Sequence, residues 1–428
     1  MVKVITYGTY DLLHYGHIRL LERAKKLGDY LVVGVTADGY DKTRGKINVQ
    51  QSLIERIEAI RATGIADEII VEEYEGQKID DIRRLNIDIF AIGSDWKGYF
   101  DYLNEYCKVI YLKRTEGISS SELRAKKRNL IIGTIGNIGL CNKFIREMEF
   151  VNGVEYKECD SEFTGVDAVY IATLPQKHYQ DVKKALLLGK HVICESPIAT
   201  QKKQCKELLE LAKLKKLILI DGVKTAYSIA YLRMLSIAKS GKIGEIISID
   251  SVCTSNKINK ESNLFNEQNS ICAWGPTAFL PIFQLTRGNP IDIRISTKLL
   301  DDNLNFDGFS KVSFEFEDIV ATAKIAKAAK SEGELIISGT KGYIYIPAPW
   351  WKTEYFEIRF EDQNQNRKYF YQLDGEGIRY EIVEFVKAIA SGKKSYFISD
   401  EISLSIVSVI EKFEMKDYRK IRNKNERD

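Results

Sequence analysis

The apolar strand Val2–Tyr7 runs directly into Gly8-Thr9-Tyr10-Asp11-Leu12-Leu13-His14-Tyr15-Gly16-His17, and helical spacing of Leu and Ile follows over Ile18–Leu27. A strand that turns into a helix this quickly is the building unit of a covered parallel sheet. The junction aims backbone N–H groups and the positive helix end at one point, which favours an anion there. His14 and His17 are three apart and share one face of the first turn. Gly16 between them lets a phosphate approach the backbone closely. Only four histidines occur in the chain, so two in one H-x-G-H are informative. A capping or buried structural pair is the competing explanation. Metal ligation would need further Cys, His or carboxylate partners, and none are spaced for it.

The same alternation continues. Tyr30–Val35, Ile87–Gly93 and Val109–Leu112 are continuous apolar strands, which indicates a parallel sheet covered on both faces. The polar, basic stretch Ala125–Asn129 then gives way to a new strand at Leu130-Ile-Ile-Gly. Three domains are expected: 1–128, 129–228 and 229–428. Ala168–Ala172, His191–Cys194 and Leu217–Asp221 read as strands with helices between them. After about residue 245 the strands lengthen and alternate, over Ile246–Thr254, Phe309–Phe316, Ala321–Ile325, Glu334–Ser338, Gly342–Ile346 and Tyr355–Phe360. That pattern suggests a mostly antiparallel sheet with one exposed face. A helix over Arg379–Ala390 is expected to close the chain. The fold class is therefore α/β, with two Rossmann-like domains and an α/β subdomain around an antiparallel sheet.

Composition excludes several function classes. The net charge of +3 over 428 residues is too small for a nucleic-acid surface. The charged end Lys416–Asp428 is mixed in sign and reads as a solvated tail. Seven scattered cysteines without a C-x-x-C pair fit reduced thiols in a cytoplasmic protein. The N-terminus lacks the basic start and apolar stretch of a signal peptide, and no apolar run nears the ~18 residues that span a bilayer.

A second motif, Arg114-Thr115-Glu116-Gly117-Ile118-Ser119-Ser120-Ser121-Glu122, follows Val109–Leu112 and has the look of a capped helix start. In isolation such Ser-rich segments are usually only caps. Combined with H-x-G-H it places a second set of anion donors at the end of a neighbouring parallel strand, facing the same crevice. Lys42-Thr-Arg44-Gly-Lys46 lies between them as a basic loop, either simply solvated or a lid that supplies cations.

These residues resemble the glycerol-3-phosphate cytidylyltransferases, within the wider H-x-G-H nucleotidyltransferase superfamily. The resemblance covers about 1–128 and includes Ile5–His17, Leu21-Glu-Arg-Ala-Lys, Leu27–Val33, Asp95-Trp96 and Arg114-Thr-Glu-Gly-Ile-Ser. It implies catalytic roles for His14, His17, Lys46 and Arg114. It implies nucleotide contacts at Gly8, Thr9, Tyr10, Gly16, Asp95, Thr115, Gly117, Ile118, Ser119 and Ser120. The acceptor is expected at Asp11, Arg44, Arg56 and Arg61. The family's Arg-aromatic-x-Asp-Glu is replaced by Thr63-Gly-Ile-Ala-Asp-Glu68, so Arg61 matches only with a shifted gap. The implied partners are CTP, with Mg²⁺ on its triphosphate, and a small polyol phosphate. A homo-oligomer, a dimer, is expected, with no nucleic acid and no membrane insertion. The product would be a CDP-polyol for a surface polymer such as capsule or teichoic acid.

The rest of the chain, about 130–415, resembles the glucose–fructose oxidoreductase/inositol dehydrogenase family. The resemblance rests on Gly133-Thr-Ile-Gly136-Asn-Ile-Gly139, Val166–His178, Gly189–Pro197 and Gly339-Thr-Lys-Gly-Tyr-Ile. Thr134 stands where the dinucleotide fingerprint wants its first glycine. The family's E-K-P motif, with its catalytic lysine, reads Glu195-Ser196-Pro197. Its acid and base positions, in G-G-x-x-x-D-x-x-x-H, are aromatic in Trp274–Phe283. The distance from Gly139 to Asp167 is one strand–helix unit short. Val154–Asp160 is either the second strand, with Asp160 as a ribose-binding acid, or the third strand, with no such acid. Candidate residues are Gly136, Gly139, His178 and Glu195, with NAD(P)H as the cofactor in question. Three readings stay open: a degenerate domain kept for assembly or stability, an altered reductase that makes the alditol phosphate, and a sugar-phosphate binding module.

Overall fold

Short runs of β-branched and aromatic residues become the interior strands of a parallel sheet in each half of the chain. The computed structural model describes residues 1–37, 49–73, 76–113, 129–151, 153–258, 263–286, 289–371, 373–392, 394 and 397–421. It divides into two units, Met1–Asn129 and Leu130–Asp428.

In the first unit the elements are β1 (Lys3–Gly8), α1 (Tyr15–Lys25), β2 (Tyr30–Thr36), α2 (Leu53–Ala62), β3 (Glu68–Glu72), α3 (Gln77–Leu85), β4 (Ile89–Gly93) and β5 (Lys108–Leu112). The sheet order is β3-β2-β1-β4-β5 and all its strand pairs are parallel. Alternate side chains feed two cores. Val4, Leu31, Val33 and Val35 pack with Leu21 and Ala24 of α1 and Ile60 of α2. Ile5, Tyr7 and Val32 pack on the other face with Ile82 of α3, Phe90, Phe100 and Leu103. A capping box of Ser52 and Glu55 starts α2. Sequence pattern predicts four strands here. The fifth, β3, begins and ends on carboxylates, and Glu72 is buried because Thr36 Oγ1 donates to it at 2.8 Å and Lys78 pairs with it.

The second unit opens with β6 (Leu130–Gly136), α4 (Ile138–Met148), β7 (Val154–Tyr156), β8 (Ala168–Ala172), α5 (Pro175–Leu187), β9 (His191–Glu195), α6 (Lys202–Lys215) and β10 (Leu219–Gly222). These strands are all parallel, in the order β10-β9-β8-β6-β7. Val154–Tyr156 therefore pairs directly with the first strand and takes the second strand's place. Among the described residues no third strand lies beyond it. Gly136 (φ +113°) packs so closely on β8 that a Cβ there would stand 2.2 Å from the Ala172 carbonyl carbon.

Then come α7 (Ile229–Lys239), β11 (Ile246–Thr254), α8 (Ser270–Leu285), β12 (Asp292–Asp301), β13 (Phe306–Glu315), β14 (Val320–Ala326), β15 (Leu335–Gly339), β16 (Tyr343–Ile346), β17 (Tyr355–Arg359), β18 (Arg367–Phe370), α9 (Ile378–Ser391), α10 (Asp400–Glu414) and β19 (Arg419–Lys420). The described strands form a mixed sheet in the order β18-β17-β16-β15-β11-β14-β13-β12-β19, antiparallel except for β11–β14 and β12–β19. The expected helix at 379–390 is present as α9, but α10 follows it. The buried helix α8 packs against β11, β13 and β14. Among the described residues, no helix is long and apolar enough to cross a membrane.

Candidate active site

The sheet order of the first unit reverses between β1 and β4. β2 and β3 are added on one side of β1, β4 and β5 on the other, so the loops leaving β1 and β4 diverge and open a crevice at the carboxyl edge. The Gly8–His17 motif leaves β1 at this point. Its turn is bent by two non-glycine residues in left-handed conformation, Tyr10 (φ +53°) and Leu12 (φ +48°). Each costs about 1–3 kcal/mol and persists only where its surroundings enforce it. Tyr10 is fully enclosed, its ring edge-on to His17 at 5.5 Å. His14 caps α1: its Nδ1 accepts from Gly16 N at 3.1 Å, which puts the hydrogen of the neutral ring on Nε2. His14 and His17 then stack with ring centroids 3.8 Å apart.

Buried polar braces hold this turn. Asp11 Oδ1 accepts from Gln50 N (2.9 Å) and Gln51 N (3.0 Å), and Leu12 N donates back to Gln51 Oε1 at 2.8 Å. The Arg56 guanidinium, with no exposed surface, donates to Thr9 O (2.7 Å), Thr36 O (2.9 Å) and Gln51 O (3.2 Å). Asp11 and Arg56 thus join the loop after β1, the end of β2 and the 49–51 segment. Gln51, which no sequence pattern marks, holds the turn through its side chain and backbone. Asp95 stands exposed on the short 94–96 turn that leaves β4, beside the same crevice edge. Arg23 Nη1 donates to Lys113 O at 2.6 Å and ties α1 to the end of β5.

Arg61 is placed differently from the expectation. Helix α2 runs antiparallel to the strands, so its start at Ser52 lies near Asp11 and its end lies at the opposite sheet edge. Arg61 sits in that last turn, exposed and paired with Glu58. Surface pairs of this kind contribute about 0–1 kcal/mol. Arg61→Ala is expected to leave stability within about 0.5 kcal/mol and turnover within about twofold; a larger loss of turnover in steady-state kinetics would put Arg61 back at the acceptor. Arg44, Lys46, Arg114, Thr115, Gly117, Ile118, Ser119 and Ser120 lie outside the described residues. The strands that precede them, β2 and β5, both end at the crevice edge.

In the second unit, Gly136 closes the turn after β6. Asn137 caps α4, its Oδ1 accepting from Leu140 N at 3.1 Å, and Gly139 follows in the first turn. His178 is buried between two backbone carbonyls, Nδ1 2.7 Å from Pro197 O and Nε2 2.8 Å from Thr173 O. Both ring nitrogens are therefore engaged, and the imidazole anchors the Ser196–Pro197 segment. Glu195 accepts from Tyr170 Oη, and burial raises its carboxyl above the ordinary range. Asp160 Oδ1 accepts from the backbone N–H of Glu162 and Thr164, both at 3.0 Å. Phe279 and Phe283, where the sequence resemblance would put an acid and a base, both meet the Phe314 ring edge-on at 5.6 Å. All seven cysteines are free, and no group of three His, Cys, Asp or Glu side chains that could hold a metal occurs among the described residues.

The first unit is 49% identical over 130 residues to glycerol-3-phosphate cytidylyltransferase of Bacillus spizizenii, covering 30% of this chain and 100% of the relative. This chain belongs to the glycerol-3-phosphate cytidylyltransferase family. The Staphylococcus aureus member is 47% identical over 128 residues, which is 29% of this chain and 93% of that one. Residues 5–126 match the cytidylyltransferase-like family model, and residues 129–222 match the model of the oxidoreductase family with NAD-binding Rossmann fold. The chain is accordingly a nucleotidyltransferase of the cytidylyltransferase family with an oxidoreductase-like second half. For that half, a 3-ketoreductase from Actinomadura kijaniata, solved in complex with NADP and TDP-benzene, superposes with a TM-score of 0.58 at 16% identity. The superposition covers 68% of this chain and 99% of the ketoreductase. An NAD-binding oxidoreductase from Klebsiella pneumoniae gives 0.57 at 16%, over 68% and 96%. At these identities the fold is what is shared.

Proposed function

We propose that the chain transfers CMP from CTP to a small polyol phosphate, with glycerol 3-phosphate the first candidate, releasing pyrophosphate and a CDP-polyol. The observation that supports it best is the stacked His14–His17 pair at the head of α1, on the switch point of the sheet in the unit that is 49% identical to a cytidylyltransferase. A phosphate oxygen of the acceptor attacks the α-phosphorus in line, and the bond to the pyrophosphate oxygen breaks. No covalent intermediate with the protein is needed. The side chains position the reactants and stabilise charge on the phosphoryl oxygens. His14, with its hydrogen on Nε2, and His17 act on those oxygens. Lys46 and Arg114 are assigned to the triphosphate, and Asp95 to the nucleoside. Mg²⁺ would neutralise the triphosphate, held mainly by phosphate and water oxygens as this ion usually is.

The test is a panel of phosphorylated polyols with CTP, scored by pyrophosphate release. Glycerol 3-phosphate or a close homologue is expected to be turned over. A panel with no pyrophosphate above the rate without acceptor would overturn the assignment. A CDP-polyol product would serve a surface polymer, as the family resemblance implies.

For the second unit we propose a domain that has kept its fold and lost its redox chemistry. Phe279 and Phe283 fill the acid and base positions as packing residues, Ser196 replaces the lysine, and His178 is locked between carbonyls. Nicotinamide chemistry needs a proton donor beside the substrate carbonyl, and these residues do not fit that need. Saturable binding of NADH or NADPH, followed by fluorescence, together with consumption of the dinucleotide on adding a ketose phosphate, would restore the reductase reading.

A further inference from the structure

Lysines repel one another, so three meeting in a half-buried place need a reason. In the second unit Lys143 on α4, Lys224 just after β10 and Lys352 in the turn after β16 all reach one carboxylate, Glu376. Lys143 Nζ is 3.7 Å and Lys224 Nζ 3.0 Å from its Oε2, and Lys352 Nζ bonds its Oε1. Thr225 Oγ1 donates to Trp351 O at 3.0 Å, which fastens the turn after β10 to the Lys352 turn. The other acids that face Lys224 are Glu195 and Glu381, and burial raises both, Glu381 far above the carboxylate range. Glu376 is the one carboxylate that all three ammonium groups reach, while Glu147, which stands against Gly375, is paired with Arg379. Hydrogen bonding by Lys352 holds Glu376 down to about 2; burial opposes it, and the Lys224 hydrogen bond and charge add to the lowering.

Glu376 is delivered at a cost. Its backbone is left-handed (φ +54°), between Gly375 (φ +56°) and Gly377 (φ +92°). A non-glycine residue pays about 1–2 kcal/mol for that conformation. Beside Lys352, the half-buried Trp351 meets Trp274 with ring centroids 4.8 Å apart.

We propose that Lys143, Lys224 and Lys352 form a binding site for the phosphate of a phosphorylated polyol or sugar, which the Glu376 carboxylate fills as an internal substitute until the ligand arrives. The proposal rests on the reading of the second unit as a non-redox domain, and it is independent of the chemistry in the first.

The test is isothermal titration of the full chain with glycerol 3-phosphate at fixed ionic strength. Two classes of site are expected, the acceptor site of the first unit and the lysine site. Removing the internal competitor by Glu376→Gln is expected to tighten the second class by about tenfold or more. Lys224→Gln with Lys352→Gln should abolish it, and the corresponding pair of arginine substitutions should restore it. Inorganic phosphate should compete for this class and glycerol should not. An isotherm unchanged by Glu376→Gln, a second class that survives loss of both lysines, or equal competition by glycerol overturns the proposal. The first unit is followed separately by pyrophosphate release, so failure of one reading does not imitate failure of the other.

Discussion

His17→Ala is expected to lower pyrophosphate release by about 10²–10³-fold, with the apparent affinity for CTP changed far less. The reasoning starts from what each histidine does before any substrate binds. His14 caps α1 through Nδ1, so removing it takes away both a charge-stabilising group and a helix cap worth about 1 kcal/mol. His17 lies within the first turn and stacks on His14 at 3.8 Å without capping the helix, so its removal is the cleaner experiment. Its effect should fall on kcat, because charge on the attacked phosphate grows toward the transition state. A rate within about threefold of the parent, with unfolding unchanged, would show that the pair is structural.

Gly136→Val is expected to remove more than about 4 kcal/mol from the second unit. The new Cβ would stand 2.2 Å from the Ala172 carbonyl carbon and 2.4 Å from its oxygen, at φ +113°. Neither obstacle is the end of a flexible side chain. Relief would require β6 and β8 to part, and with them the bond from Asn137 N to Ala172 O. Domain stabilities of about 5–15 kcal/mol leave little after such a loss. Pyrophosphate release should continue, since both cores of the first unit are built within residues 4–112. Denaturant unfolding of the full chain reads the effect. Gly189→Ala in the same unit is a control, being left-handed (φ +76°) with nothing within 4 Å of its Cβ, and should cost only about 1 kcal/mol. A Gly136→Val chain whose unfolding matches that control would show that the turn tolerates a side chain.

Much of this was legible in the sequence. β1, β2, β4 and β5 are visible because buried parallel strands are continuously apolar, and the histidine motif is visible because its residue types are rare. β3 is not visible. Its carboxylate ends look like a loop until Thr36 and Lys78 are brought to Glu72 by the fold. Arg56 illustrates the same limit. The family resemblance puts it at the acceptor, while its bonds to Thr9, Thr36 and Gln51 depend on three segments meeting in space. Arg61 misleads for a simpler reason: one further turn of α2 carries it to the wrong end of the sheet. In the second unit the substitutions at Ser196, Phe279 and Phe283 are plain in the sequence. That Phe279 and Phe283 share Phe314, and that His178 is held at both nitrogens, is visible only in three dimensions.

Among the described residues no third strand lies beside β7, and this bears on solution behaviour. It leaves β7 at the margin of its sheet, where unpaired backbone groups invite a strand from another molecule. This margin is only Val154–Tyr156, and Glu155, Lys157 and Glu158 stand exposed along and just after it. An intruding strand would find few backbone partners and would have to desolvate charges to reach them. The shortened sheet is thus blunted against aggregation at the place where the lost strand would otherwise have left it adhesive.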